Sequence, residues 1–232
     1  MRVLVLRPQK DAEQTAKRLN AHGYEAIIAP LLRVKPLEIC SPDFASCNAI
    51  IATSANAFRC LPGTYVHKIK SIPCFTVGSQ TTEAAQNYGL NQVTSASGDA
   101  AALVKLVKTN LLTSSHLMYI TGQPRKSDLE ISLLRHGFNV SIYETYKTEA
   151  VAHLPQKAVA AFKQGVDVIL HFSRHSAEIA MTLFEEAGLM HELQTARHIC
   201  ISSDTANGLY GCAHMQIAKK PDQAAMLDLL ES

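Results

Sequence analysis

No dense run of lysine and arginine interleaved with aromatics occurs in this sequence, and its formal net charge is only +2. That removes the usual basis for binding a polyanion, so nucleic acid is not an expected partner. No stretch approaches the roughly 18 apolar residues that span a bilayer, so no membrane partner is expected either. The opening Met1-Arg2-Val3-Leu4-Val5-Leu6-Arg7-Pro8 is too short for the apolar centre of a signal peptide and is interrupted by Arg7. The expected location is the cytoplasm. Cysteine is present but never as C-x-x-C, which excludes a metal-binding or redox dithiol of that kind. Cys40, Cys47, Cys60, Cys74, Cys200 and Cys212 are expected to be reduced thiols. Several of them serve as small apolar residues, as in the strand-like Cys74-Phe75-Thr76-Val77. Also missing are a G-x-G-x-x-G or Walker-type loop after any strand-like run, which argues against dinucleotide or ATP chemistry.

The 232 residues, 47% hydrophobic and 18% charged, suit a folded globular chain of either one large domain or two of about 100 residues. Internal similarity favours two. Arg2 to Leu6 reads as a strand, Asp11 to Leu19 as a helix capped by Asp11, Gly23 as its stop, and Glu25 to Pro30 as a second strand. The unit recurs as the strand Leu117 to Ile120 and a turn at Thr121-Gly122. A capping box Ser127-Asp128-Leu129-Glu130, a stop at Gly137 and the strand Asn139 to Ile142 complete it. Gly23 and Gly137 are 137 − 23 = 114 positions apart. Ser54 and Ser173, each in the turn after an apolar run, are 173 − 54 = 119 apart, and Thr81 and Thr205 are 205 − 81 = 124 apart. A drifting but nearly constant offset is what two copies of one fold with different loops produce. Each copy alternates short buried strands with amphipathic helices, the pattern of a flavodoxin-like parallel sheet covered on both faces. The repeat breaks at Leu31 to Pro36 and at Tyr143 to Glu149, two extended segments that read as linker strands and would form a hinge.

In such folds ligands sit beyond the carboxyl ends of the strands, where strand-to-helix turns present unpaired amides. Four Ser/Thr-rich turns fall there: Thr53-Ser54-Ala55-Asn56, Gly78-Ser79-Gln80-Thr81-Thr82, Ser173-Arg174-His175-Ser176 and Ser202-Ser203-Asp204-Thr205. Each hydroxyl could simply cap its own helix. Four paired turns together point instead to a shared anion-rich ligand in a cleft between the copies. Asp99 and Asp222 are expected as caps. His171 and His175 are four apart but fall in a strand and the following turn, so they would not share a face as metal ligands do, and no metal is expected.

The order and spacing of strand-Arg7-Pro8, Thr53-Ser54-x-Asn56-Ala57, Gly78-x-x-Thr81, Gly98-Asp99, Tyr143 to Tyr146 with Lys147-Thr148, Phe172-Ser173 and Thr205-Ala206 resemble the uroporphyrinogen-III synthase family over nearly the whole chain. Two turns depart from its pattern: Phe172-Ser173-Arg174-His175, and Ser202-Ser203-Asp204-Thr205-Ala206 where the family has Gly-x-x-Thr-Ala, and in the latter Asp204 would set a carboxylate near an anionic ligand. The resemblance implies two similar flavodoxin-like α/β domains joined by a two-stranded linker. One would be built from 1–34 plus 152–232 and the other from 38–146, with linker strands at 33–38 and 143–152. It implies a cofactor-free lyase that closes hydroxymethylbilane, a linear tetrapyrrole with eight carboxylates, with loss of water and inversion of ring D. Tyr146 is the expected proton donor. Arg7, Thr53, Ser54, Asn56, Gly78, Ser79, Thr81, Thr82, Ser173, Arg174, Ser202, Ser203 and Thr205 are the expected binding residues, with Arg7 as readily a structural ion pair. A monomer is expected, with substrate handed over from hydroxymethylbilane synthase. A non-catalytic sensor closing on an anionic metabolite, or a nucleotide-dependent transferase, are the rival classes.

Overall fold

The computed structural model describes residues 1–38, 42–96 and 98–231. Its strands, in chain order, are β1 (Arg2–Val5), β2 (Glu25–Ile28), β3 (Leu32–Pro36), β4 (Ala49–Ala52), β5 (Cys74–Val77) and β6 (Val93–Ala96). Then come β7 (His116–Gln123), β8 (Asn139–Ala150), β9 (Val168–His171), β10 (Arg197–Cys200) and β11 (His214–Ile217). They form two sheets in two compact units. The first unit comprises Met1–Arg33 with Glu149–Ser232, and the second Val34–Thr148.

In the first unit the sheet order is β11-β10-β9-β1-β2, and its pairings are parallel. Numbered along its own chain, that is the flavodoxin-like order 2-1-3-4-5. The second unit's sheet runs β3-β8-β7-β4-β5-β6, parallel from β8 through β6. Its strands meet the chain in a different order from those of the first unit. Matching β7 and β8 to β1 and β2, and β4, β5 and β6 to β9, β10 and β11, recovers the same 2-1-3-4-5. The two copies are therefore circular permutations of one another, which is why the similarity found at near-constant offsets coexists with a first unit built from both ends of the chain.

Burial explains the strand composition. All four residues of β4 are buried, so Ala-Ile-Ile-Ala shows no polar alternation. Ile50 and Ala52 pack toward the helices containing Ala57, Phe58 and Ala85, whereas Ala49 and Ile51 face those containing Leu103 and Leu133. In the first unit Leu4 and Leu6 pack with Ala177 and Phe184, and Val3 and Val5 with Ala12 and Met226. Each fully buried aliphatic side chain contributes about 1.5–3 kcal/mol of transfer free energy.

Several local expectations are corrected. The first helix spans Gln9–Ala21 with Pro8 at its N-cap, so Asp11 lies inside the first turn and pairs with Arg7 at 3.9 Å instead of capping. β7 does not turn at Thr121-Gly122 but continues to Gln123. Ser127 stands at the N-cap of Asp128–Arg135 with φ −81° and ψ −3° and makes no side-chain cap bond, and Glu130, the other member of the expected box, pairs with Arg125 at 2.5 Å. Asp99 and Asp222 do cap, Asp99 accepting from the amides of Ala101 and Ala102 at 2.9 and 3.0 Å. The segment Tyr143 to Glu149 lies within the 12-residue β8, continuous with the expected strand before it, and β3 is the neighbour of β8 in the sheet. Cys40 lies outside the described residues, among which no disulfide forms. Among them, too, no helix is long and apolar enough to cross a membrane.

Candidate functional site

In the second unit the helices following β4 and β7 lie on opposite faces of the sheet, so the strand order reverses between these two neighbours. The carboxyl ends of strands at such a reversal are where open α/β sheets bind ligands. Thr53, just past β4, meets Tyr119 of β7 there, hydroxyl to hydroxyl, at 3.0 Å. A cavity of about 330 Å³ opens at this edge, lined in part by Thr53, Tyr119, Thr121, Gly122, Arg125 and Tyr146.

Tyr146 reaches the cavity because of a local irregularity. Ile120 pairs with Tyr143 and Thr121 with Glu144, but Gly122 pairs with Tyr146, so Thr145 is an extra residue in β8. The Tyr146 ring lies on Gly122, where a Cβ would overlap its ring carbons. Behind it Arg125 is held by Glu130 and Glu144, and Gln123 donates to Glu144 as well. The hydrogen bond to Glu130, first among the causes, raises the Arg125 pKa above its ordinary value. The cation is thus already matched by two carboxylates, and the rest of the polar lining is the hydroxyls of Thr53, Tyr119, Thr121 and Tyr146 with Lys126 and Asp128.

The other expected residues of this unit lie along the same edge but do not line that cavity. Ser54 caps the helix Ala55–Arg59 by accepting from the Asn56 amide at 3.2 Å, and the Asn56 side-chain carbonyl oxygen accepts from Arg59 at 3.1 Å. Gly78 is at the N-cap of Ser79–Tyr88 with φ +80°, a conformation that favours glycine. With no side-chain cap there, the first-turn amides beside exposed Ser79 remain for solvent or an anion. Thr81 is buried, and Thr82 bonds Thr76 at 2.7 Å.

In the first unit the reversal lies between β1 and β9. Arg7 stacks on the Phe172 ring at 4.1 Å, donates to Thr15 at 3.2 Å and pairs with Asp11. This engagement favours the structural reading of Arg7. Ser173 caps its helix by accepting from the Ser176 amide, and Ser202 from the Thr205 amide. Capping therefore holds at Ser54, Ser173 and Ser202. It uses a lone pair and leaves each O–H as a potential donor. Thr205 is buried, its hydroxyl 3.1 Å from that of Ser202, and Ser203 begins the short helix that follows. Arg174 pairs with Glu178 at 2.8 Å and with Asp204 at 3.6 Å, so the two departing turns are in contact through their side chains.

His171 is at the end of β9 and His175 in the next helix, and among the described residues no group of three or more His, Cys, Asp or Glu could hold a metal ion. His171 instead stacks on His198, Nε2 to Nδ1 at 3.0 Å. Sequence reasoning missed Tyr119, Arg125, Glu144, Thr145 and His198. Only Tyr119 carried a local signal, a polar-tipped aromatic just before an expected strand end.

Two units with parallel sheets, each bringing hydroxyls and amides to a strand-order reversal, define a two-domain α/β protein of flavodoxin-like order. The family model described as Uroporphyrinogen-III synthase HemD matches residues 13–228. The chain belongs to the uroporphyrinogen-III synthase family, enzymes of heme biosynthesis. Uroporphyrinogen-III synthetase from Helicobacter pylori superposes with a TM-score of 0.64 at 18% identity, covering 100% of this chain and 99% of that one. A mutant uroporphyrinogen III synthase from Thermus thermophilus gives 0.57 at 16% identity, covering 100% and 97%. No curated protein sequence matches the chain.

Proposed function

We propose that the chain is a cyclising lyase that converts hydroxymethylbilane to uroporphyrinogen III, with Tyr146 as proton donor. Loss of water from the hydroxymethyl carbon of ring A leaves an electrophilic azafulvene. Ring D attacks it through its already substituted carbon, and the spiro intermediate fragments and recloses with ring D inverted. Without enzyme the linear molecule closes uninverted, so the protein's main task is to hold one conformation. Orientation of this kind is worth up to about 7–11 kcal/mol in favourable intramolecular cases.

The observation that carries the reading is that Tyr146 lines one cavity at the strand-order reversal together with Thr53 and Tyr119, whose hydroxyls meet there. Its volume of about 330 Å³ is near the lower end for ligand sites, roughly 300–1,000 Å³, and suits one substituted pyrrole better than a whole tetrapyrrole. Phenols stay protonated up to a pH of about 10 and can supply a proton to a departing hydroxyl. The capping serines and the amides at Gly78 are suited to acetate and propionate side chains, which accept hydrogen bonds and need no cation at each position.

A second tyrosine competes on a specific observation: Tyr143 borders a larger cavity of about 820 Å³ with His116, Ser141 and Glu144. The test supplies hydroxymethylbilane from a coupled synthase and separates type III from type I product. Tyr146→Phe is expected to lower turnover about tenfold or more, near 1.4 kcal/mol in barrier, while Tyr143→Phe changes it less. Full turnover by purified Tyr146→Phe refutes the assignment, and a dominant type I product with the parent chain refutes the function. The same reading carries three further expectations: a cytoplasmic location, a monomer, and direct transfer of the linear substrate from hydroxymethylbilane synthase.

A further inference from the structure

We propose that Thr145 is a positioning residue for the reaction, its buried hydroxyl fixing the β-bulge that aims Tyr146; this rests on the reading of Tyr146 as proton donor. In a regular strand, residues three apart point to opposite faces. Tyr143 and Tyr146 nevertheless share a face, both packing in the cluster that contains Ile50, Ala57 and Ile120. The extra residue makes the difference: Tyr143 is opposite Ile120 and Tyr146 opposite Gly122, two ladder positions on. Without the bulge, Thr145 would stand opposite Gly122, and the Tyr146 ring would turn to the other side of the sheet.

Thr145 is fully buried, and both its hydroxyl and its carbonyl are engaged in the bulged register. Its hydroxyl donates to the Ala57 carbonyl at 3.0 Å and lies 3.3 Å from the Thr121 carbonyl, while its own carbonyl accepts from the Leu37 amide at 3.0 Å. Ala57 sits in a five-residue helix, which is too short to satisfy its last carbonyls internally. The threonine thus joins β7, the segment after β3 and the helix after β4 at the one point where β8 changes register. Bulges that re-aim a side chain beside a site are held by such specific contacts. Gly122 completes the arrangement by leaving room for the ring.

The experiment compares Thr145→Val, which keeps the shape and removes the hydroxyl, with Thr145→Ser, which keeps the hydroxyl. Each is made in the parent and in Tyr146→Phe, with kcat, KM and isomer ratio measured. Thr145→Val is expected to lower kcat about tenfold with KM within about threefold, Thr145→Ser to retain most turnover, and Thr145→Val to cost nothing further in Tyr146→Phe. Full kcat in Thr145→Val beside an impaired Tyr146→Phe overturns the positioning role while leaving Tyr146 in place. Losses that multiply in the double variant overturn it as well. Full kcat in Tyr146→Phe removes both the proton-donor reading and this one. If Thr145→Val does not fold, Gly122→Ala takes its place, pushing the ring from β7 with every Thr145 bond intact. The same kcat-selective loss, absent in Tyr146→Phe, is expected, and unchanged turnover overturns the proposal.

Discussion

Acidification should destabilise the first unit through the His171–His198 pair. Nε2 of His198 is 2.8 Å from the Leu193 carbonyl, which can only accept, so that nitrogen carries the proton. Nδ1 of the neutral ring then accepts from Nε2 of His171 at 3.0 Å. Nδ1 of His171 remains as a buried acceptor with no partner among the described residues. A second proton would have to enter there, inside an apolar core. Burial, with the neighbouring His198 second, pushes the His171 pKa down to about 3, and burial also lowers that of His198. A pKa lower in the folded than in the unfolded state means the unfolded chain binds more protons. The stability is complete above about pH 6.5 and is lost as the pH falls toward about 3. At pH 4.5 the loss from His171 alone is about 2–3 kcal/mol, from roughly two pH units below the unfolded pKa. Urea unfolding at pH 7.5 and 4.5, followed by circular dichroism, measures it in the parent and in His171→Leu. The variant should lose about 2 kcal/mol less on acidification than the parent. Equal losses in the two proteins refute the assignment of this acid sensitivity to His171.

Three further outcomes follow from particular contacts. Leu4→Ala should cost about 2–5 kcal/mol in urea unfolding, since Leu4 is fully buried in the cluster that holds Ile169 and Phe184. Asp99→Ala should cost about 1 kcal/mol by removing the acceptor for two amides at the start of Ala100–Asn110, with kcat unchanged. Asp204→Asn should lower KM for hydroxymethylbilane about two- to fivefold by releasing Arg174 from one carboxylate. A raised KM would show that Asp204 itself serves the site.

What the sequence revealed and what it concealed divide along one physical line. Strand-helix alternation, the stop at Gly23, the caps at Asp99 and Asp222 and the offsets between the two copies are local or self-similar, so composition and spacing expose them. The parallel, helix-covered sheets followed from buried strands such as β4, which carry no polar alternation. Register is not local. That Tyr146 faces Gly122 depends on one extra residue in β8, and nothing in Tyr143-Glu144-Thr145-Tyr146 announces it. His198 was missed for the same reason: its partner is 27 positions away and meets it only because β9 and β10 pair side by side. Asp11 shows the converse failure, in which a good local signal was outcompeted. Pro8 begins the helix earlier, and the carboxylate is drawn to Arg7.

Arg174 and Asp204 look like independent obstacles when taken singly, a large cation in one turn and an anion in the other. Their contact at 3.6 Å, with Glu178 on Arg174 at 2.8 Å, gathers one cation and two carboxylates at the turns after β9 and β10. Around Tyr146 the pattern repeats, with Arg125 matched by Glu130 and Glu144. In both units these strong charges at the strand ends are paired with one another, while the hydroxyls of Ser54 and Ser173 keep an O–H to donate after capping. A substrate with eight carboxylates that must bend, close and reclose would be trapped by fixed cations at every contact, whereas neutral donors can be exchanged as its rings move. The paired charges thus favour control of conformation over strong acid-base chemistry, in keeping with the proposal that a single phenol, Tyr146, supplies the proton for water loss.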